Sequence, residues 1–147
     1  SAAHIYMERY FARYQGVERY MQHVREKARQ TGYVETVLGR RLWLPEINHS
    51  NGNRRQGAER AAINAPMQGT AADIIKLAMI AVTRWLRTEK LRSKLIMQVH
   101  DELVLEVPEE EISLLREYLP KYMGGVLTLD VPLLVEIGIG SNWDQAH

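Results

Sequence analysis

The chain has 147 residues, a formal net charge of +1 and no cysteine. This length fits one domain with a sizeable core, and the apolar and charged fractions are those of an ordinary soluble globular protein. The lack of cysteine excludes a disulfide framework and a thiolate metal site. No apolar run approaches the roughly 20 residues of a membrane span, and no signal peptide is visible, so we expect a cytoplasmic protein without a membrane partner.

The charge is unevenly spread along the chain. Residues 1–60 hold 11 Lys and Arg against 6 Asp and Glu, whereas residues 61–147 hold 8 against 12. A basic half and an acidic half suggest a polyanion partner for one and cation binding for the other. Ordinary variation in surface charge is the alternative.

The first third of the chain predicts two helices and a hairpin. Apolar residues at helical spacing predict helices over 1–14 and 17–31, interrupted at Gly16 and ended by Gly32. Short apolar runs at 33–37 and 40–44 predict a β-hairpin, followed by a polar loop at 48–55. Arg40 and Arg41 are candidate phosphate contacts, with a solubilising surface as the alternative. The abrupt start resembles a cut inside a longer protein, and the last residues resemble a natural end.

A long helical pattern covers 56–89, with a kink or break expected at Pro66 because proline lacks the N–H group and clashes with the preceding turn. Arg60, Asn64 and Gln68 recur at every fourth position, so they share one helix face. All three can hydrogen-bond phosphate, sugar or base edges. Small residues around them would allow a ligand backbone to approach, although three polar residues at this spacing also fit a solvated stripe.

The stretch 94–107 predicts a tight hairpin with His100 and Asp101 at its turn. If Val99 pairs with Glu102, both faces of the hairpin are mostly apolar and both should be covered. Apolar strands that present carboxylates at a turn suit a rigid mount for a metal, and a solvated turn is the alternative. An acidic helix start at 109–111 and a final strand at 131–139 follow.

One aspartate on a rigid turn can ligate Mg²⁺, which prefers oxygen donors. Phosphoryl chemistry usually needs two metals bridged by carboxylates from at least two segments. Asp101 can be one bridge, but the neighbouring Glu102 should point to the opposite face. These residues therefore predict half of a two-metal site.

Four stretches carry a resemblance to a known family. The sequence QVHDE at 98–102 resembles motif C of family A DNA polymerases, the DNA polymerase I type of bacteria. The palm helix of that family is similar to ERAAINAPMQGTAAD at 59–73 and its fingers hairpin to GYVET at 32–36 with GRR at 39–41. The end of its palm is similar to DVPL at 130–133, EIGIG at 136–140 and NW at 142–143. The resemblance covers essentially the whole chain.

The resemblance implies an α+β fold, with helices packed on a small antiparallel sheet and motif C on a hairpin turn. Residues 1–55 would be the C-terminal part of the fingers and residues 56–147 the C-terminal part of the palm. Asp101 matches the metal-binding catalytic aspartate, Glu102 its carboxylate neighbour, and His100 a residue near the primer 3′ end. Arg60, Asn64 and Gln68 match residues that contact primer–template.

The implied reaction is template-directed nucleotidyl transfer with two Mg²⁺ ions, acting on DNA primer–template and dNTP in the bacterial cytoplasm. Motifs A and B of the family are missing, so we expect the chain alone to be inactive. An HD-type metal phosphohydrolase using His100 and Asp101 is one alternative. A non-catalytic DNA-binding or self-associating module is the other, since exposed apolar patches drive self-association.

Overall fold

The structure, a computed structural model, describes residues 2–146 and contains two compact units, Ser1–Thr70 and Ala71–His147. The α+β class is confirmed, with helices and two antiparallel two-stranded sheets. The elements in chain order are α1 Ala2–Arg13, α2 Gln15–Thr31, β1 Tyr33–Glu35, β2 Arg41–Trp43, α3 Gly52–Thr88, β3 Lys94–Val99, β4 Glu102–Glu106, a 3₁₀ turn Glu109–Glu111, α4 Ile112–Gly124 and α5 Trp143–Ala146.

The first unit buries one apolar face of α2 against the β1–β2 hairpin and the start of α3. Its core consists of Val24, Ala28, Val34, Leu44, Ile47, Ala58 and Ala62. The two predicted helices are confirmed, but the interruption falls at Tyr14 (φ −116°, ψ 58°), and Gly16 lies inside α2. Gly32 ends α2 as predicted, because its φ of 79° is a left-handed conformation that glycine adopts without strain.

Helix α3 is longer and more continuous than the sequence predicted. It begins at Gly52 because the Asn51 side chain caps it, with Oδ1 accepting from the Asn53 amide at 2.9 Å. The sequence predicts a kink or a break at Pro66; the break is wrong, since the helix continues through it, and the kink stays a prediction. Proline removes one helical hydrogen bond. Buried residues on both sides of it pack in separate cores, with Ala62 in the core of the first unit and Val82 in that of the second.

The second unit is built on the β3–β4 hairpin, whose predicted register is confirmed. Val99 pairs with Glu102, and the ladder shifts by one residue at Ile96. Its core lies between the end of α3, α4 and one face of the hairpin, with Val82, Trp85, Leu86, Leu115 and Leu119 buried and Leu103 and Leu105 packed against them. The prediction that both hairpin faces are covered is wrong, because Ile96 remains 57% exposed.

The prediction of a final strand at 131–139 is also wrong within the described residues. The segment pairs with no strand of residues 2–146, and Leu134 is 87% exposed. A β-strand needs a neighbouring ladder to satisfy its amides and carbonyls, and β-branched content alone cannot supply one. Instead, the α5 segment packs closely against the backbone of Gly138 and Gly140, because a Cβ at either position would meet backbone atoms of Gln145 or Ala146.

Candidate functional site

The turn of the β3–β4 hairpin presents His100 and Asp101 to solvent. Both residues are exposed, and they form a two-residue connection between Val99 and Glu102. His100 has a φ of 52°, and a positive φ at the first residue of a two-residue hairpin connection is a position where glycine or asparagine is usual. The Gln98 side chain donates to the His100 carbonyl at 2.5 Å. The turn is therefore braced by its own strand while it holds a non-glycine residue in an unfavourable conformation.

The two carboxylates at this turn have different surroundings. Asp101 is exposed at the tip, whereas Glu102 is half-buried and pairs with Val99 in the ladder. No group of three or more His, Asp and Glu side chains that could hold a metal occurs in residues 2–146. Carboxylate oxygens are the donors that a hard divalent cation prefers. The donor type thus fits such an ion, and the predicted half of a two-metal site stays a prediction.

The open end of the same hairpin is held by Glu111, which the sequence analysis assigned only to a helix start. Its carboxylate accepts from the Arg92 amide at 2.8 Å, the Ser93 amide at 2.9 Å and the Ser93 hydroxyl at 2.5 Å. The Ser93 hydroxyl and the Arg92 amide lower the pKa of Glu111 below its ordinary value. Because Ser93 directly precedes β3, these bonds tie the hairpin to the helix that follows it.

In the first unit, the polar stripe of Arg60, Asn64 and Gln68 is exposed on α3. Since the helix is unbroken, the three residues stay on one face and span roughly 12 Å at 1.5 Å per residue. A guanidinium and two amides over that length match the spacing of a few consecutive phosphates along a strand. The predicted alignment on one helix face is therefore confirmed, and the binding role stays a prediction.

The two arginines of the β1–β2 hairpin are exposed, and Arg41 has visible partners. Its Nε lies 3.0 Å from the Glu35 carboxylate and its guanidinium lies 4.4 Å from the centre of the Tyr33 ring. The hydrogen bond to Glu35 raises the pKa of Arg41. Arg41 is therefore committed to its own hairpin. Arg40 donates its backbone amide to the Thr36 hydroxyl at 3.1 Å, at the hairpin tip.

The stripe residues and the carboxylates lie in different compact units. Thr36, Gly69 and Thr70 were not predicted from the sequence, and they join the hairpin tip to α3 within the first unit. Their partners lie more than 30 positions away, and no local pattern marks such a pair. A cap at Asn51, by contrast, carries a local signal in the Asn-Gly-Asn order of residues 51–53.

Arginine and amide side chains, as on this face of α3, are among the groups that hydrogen-bond phosphate, sugar and base edges in nucleic-acid-binding proteins. The model of DNA polymerase family A matches residues 1–145. The chain belongs to this family.

Known relatives agree with this assignment. The chain is 58% identical over 145 residues to DNA polymerase I of Pseudomonas aeruginosa, covering 99% of this chain and 16% of that protein. It is 50% identical over 141 residues to DNA polymerase I of Geobacillus stearothermophilus, covering 96% of this chain and 16% of that protein. The POL domain of Pol1 from M. smegmatis, solved in complex with DNA primer-template and dNTP, superposes with a TM-score of 0.96 at 50% identity, covering 99% of this chain and 26% of that one. The chain thus spans about a sixth of the length of these curated relatives.

Membership in this family disagrees with the HD-type phosphohydrolase alternative. The His100–Asp101 pair lies on a strand-to-strand turn, and the further ligands that such a site needs do not gather around it in residues 2–146.

No helix in that described range is both long and apolar enough to cross a membrane.

Proposed function

We propose that this chain is the part of a DNA-directed DNA polymerase that supplies one catalytic carboxylate and part of the primer–template surface. The observation that carries the proposal is the exposed Asp101 at the tip of a braced hairpin, in a chain of family A. Residues 1–55 belong to the fingers and residues 56–147 to the palm in this proposal. The complete protein works in the bacterial cytoplasm.

The reaction proposed for the complete protein is attack of a primer 3′-hydroxyl oxygen on the α-phosphorus of a dNTP. A new P–O bond forms between the 3′ oxygen and the α-phosphorus, the bond from that phosphorus to the pyrophosphate leaving group breaks, and the hydroxyl proton passes to water. Asp101 would hold a divalent ion, Mg²⁺ by its preference for oxygen donors, which neutralises developing charge on the reacting oxygens. Glu102 supports the same site from the base of the turn, and the second half of the coordination shell comes from other segments of the complete protein.

His100 would contact the primer end, since it directly precedes the metal-binding residue on the same turn. The exposed stripe of Arg60, Asn64 and Gln68 would bind the primer–template duplex through phosphate and groove-edge hydrogen bonds. Each phosphate neutralised by a basic side chain contributes about −0.9 to the slope of log affinity against log salt on duplex DNA. Binding by this chain should therefore weaken as salt rises, and Arg60→Ala should flatten the dependence.

A chimera provides the direct test of the proposed activity. In DNA polymerase I of Pseudomonas aeruginosa, the segment matched by this chain is replaced with this chain, and templated primer extension is measured with Mg²⁺. We expect extension by the chimera and a loss of several orders of magnitude in Asp101→Asn, because the carboxylate that holds the ion is gone. Glu106→Gln, on an exposed position at the other end of the same hairpin, is the matched control and should retain activity.

The chain on its own should bind a primer–template but should not extend it. Templated incorporation by the purified 147-residue chain would contradict the proposal that the other half of the site lies elsewhere. Full activity of the Asp101→Asn chimera would contradict the proposed role of the hairpin tip.

We also propose that the isolated chain self-associates through α1. This helix has no buried residue, and Tyr6, Met7 and Tyr10, which share one side of the helix, are 77%, 54% and 46% exposed. A contiguous apolar surface of this kind favours association. Sedimentation equilibrium should show a concentration-dependent dimer that Met7→Glu weakens, and a monomer at all concentrations would refute the idea.

A further inference from the structure

We propose that Met67 is a further DNA-contact residue, whose thioether side chain packs against the sugar C–H groups of the primer–template duplex beside the polar stripe of α3. The inference deepens the proposed function and rests on its DNA-binding part. It adds to the polar contacts one that is apolar, and that is therefore independent of salt and of base sequence.

The outer surface of α3 in the first unit consists of few side chains. Between positions 60 and 70 the exposed residues are the three of the polar stripe and Met67, and every other residue there is buried or half-buried. Met67 is 64% exposed. An apolar side chain of this size in water forgoes the free energy that its burial would release. Its position therefore suits a side chain that becomes buried when a ligand covers the stripe.

Helical spacing places Met67 on the same face as the stripe. It follows Asn64 by three positions and Arg60 by seven, and α3 is continuous over this range. Helical side chains lean toward the N-terminal end of their helix and cover the preceding turn. Met67 thus adjoins Asn64 in that turn. Gln68, the next residue, diverges from Met67 by about 100° around the helix axis.

The first unit covers the neighbouring side of this helix with its own contacts. The Tyr20 hydroxyl donates to the Ile63 carbonyl at 3.2 Å, and the Thr70 hydroxyl accepts from the Val37 amide at 3.0 Å. Thr70 is 8% exposed. Met67 lies between these two contacts along the helix and stays exposed, so the folded unit does not cover it. It therefore stands where the packing of the unit ends and the proposed DNA surface begins.

The chemistry of the Met67 side chain determines which part of a duplex it contacts. A thioether carries no charge and donates no hydrogen bond, so it gains little from phosphates or base edges. The sugars of a duplex present C–H groups that recur at every nucleotide. Methionine is flexible and polarizable, and it adapts to irregular surfaces. Met67 therefore suits a contact that is the same for every sequence, as the copying of any template requires.

Three substitutions of Met67 separate an apolar contact from a contact of shape alone. Met67→Leu keeps the apolar volume, Met67→Gln keeps the length and adds an amide, and Met67→Ala removes most of the side chain. The probe is a labelled primer–template duplex without dNTP. Met67→Ala and Met67→Gln should weaken its binding by about threefold to tenfold, since complete burial of such a side chain is worth roughly tenfold or more. Met67→Leu should bind within about twofold of the wild type.

A salt series distinguishes this contact from a contact between charges. The loss of affinity in Met67→Ala should be the same at every salt concentration, so the slope of log affinity against log salt is unchanged. Arg60→Ala should instead lower the magnitude of that slope by about 0.9. The loss in Met67→Ala should also be equal for A·T-rich and G·C-rich duplexes, because sugar contacts carry no sequence information.

A double-variant cycle tests the adjacency of Met67 to Asn64. When both side chains contact the duplex, Met67 shields the hydrogen bonds of the Asn64 amide from water. The effect of Met67→Ala should therefore be smaller by about twofold in an Asn64→Ala background than in the wild type. In a Gln68→Ala background it should keep its full size. Urea unfolding of Met67→Ala should have the wild-type midpoint, because the side chain is exposed in the free chain.

The outcomes distinguish this inference from the proposed function. Wild-type affinity in Met67→Ala, together with a flattened slope in Arg60→Ala, would overturn the Met67 contact and leave the DNA-binding function standing. Wild-type affinity in Met67→Gln would overturn the apolar character of the contact, and a loss confined to one duplex sequence would overturn the assignment to sugars. A wild-type chain with no salt-dependent binding of the duplex would overturn the proposed DNA surface and the Met67 contact together.

Discussion

Two residues with positive φ allow the effect of backbone strain on stability to be measured separately from the effect of the side chain on DNA binding. Lys90 (φ 54°) and His100 (φ 52°) are the non-glycine residues with positive φ in the described part of the chain, and both lie in the second unit. Lys90 occupies the position after α3 where a glycine is usual. Its amide donates to the Arg87 carbonyl at 3.2 Å and the Leu91 amide to the Leu86 carbonyl at 2.9 Å, the bond pair of a Schellman motif.

The expected gain from Lys90→Gly follows from two opposing terms. Relief of the left-handed conformation is worth about 1–2 kcal/mol, and the greater freedom of glycine in the unfolded chain costs about 0.5–1 kcal/mol. The net stabilisation is therefore about 0.5–1 kcal/mol. With an unfolding entropy of about 2.1 cal/mol/K per residue, 1 kcal/mol raises Tm by about 3 °C if the whole chain unfolds together, and by roughly twice that if the second unit unfolds alone.

His100→Gly should stabilise the chain by the same amount for the same reason, and it should weaken primer–template binding because the imidazole is lost. His100→Ala removes the imidazole and keeps the strained backbone, so it should lose affinity without gaining stability. Lys90→Gly should gain stability and leave affinity unchanged. Thermal and urea unfolding followed by circular dichroism measure the first quantity, and fluorescence anisotropy with a labelled duplex measures the second.

Equal stability of His100→Gly and His100→Ala would refute the assignment of strain to the hairpin turn. A destabilised Lys90→Gly would refute the reasoning as a whole, because that position makes the simpler case. An unchanged affinity in both His100 variants would leave the strain argument intact and remove the imidazole from the proposed DNA contact.

Three further predictions concern the second unit. Leu115→Ala, at a 3% exposed site, should lower the free energy of unfolding by about 2–5 kcal/mol in urea titrations, and Leu114→Ala, at 37% exposure, should change it far less. Because folding lowers the pKa of Glu111, its carboxylate stabilises the folded chain above the ordinary pKa of about 4.5, and this stabilisation is lost as pH falls through the lower folded value. Glu111→Gln should therefore reduce the loss of folding stability between neutral and acid pH. An unchanged dependence of stability on pH would contradict the three hydrogen bonds. Gly138→Ala should displace α5, because the new Cβ would meet the Ala146 carbonyl, and hydrogen exchange of the Ala146 amide should accelerate.

The predictable parts of the fold are those that depend on local pattern. The register of the β3–β4 hairpin follows from a two-residue turn between two apolar runs, since fixing Val99 against Glu102 fixes every later pair until a bulge. Gly32 ends α2 because a left-handed backbone is needed there. These outcomes require no knowledge of distant residues, which explains why the sequence was sufficient for them.

The failures share a dependence on distant partners. A proline rule evaluated on α3 alone predicts a break at Pro66, but buried residues before and after it hold each half in helical form. The segment 131–139 has the composition of a strand and lacks a ladder in residues 2–146, because a strand exists only with a neighbour. Local propensity cannot weigh either effect.

The candidate site shows the same division between local and distant information. The side-chain types at Asp101 and along the α3 stripe could be found from spacing, because each set lies on one element. The residues that hold those elements in place could not be found that way, since Glu111 contacts Ser93 from 18 positions away and Thr70 contacts Val37 from 33. Side chains that contact a ligand tend to form a local sequence pattern, whereas the side chains that position them are brought together only by the fold. A prediction of function from sequence is therefore most complete for the side chains that carry the chemistry and least complete for the side chains that position them.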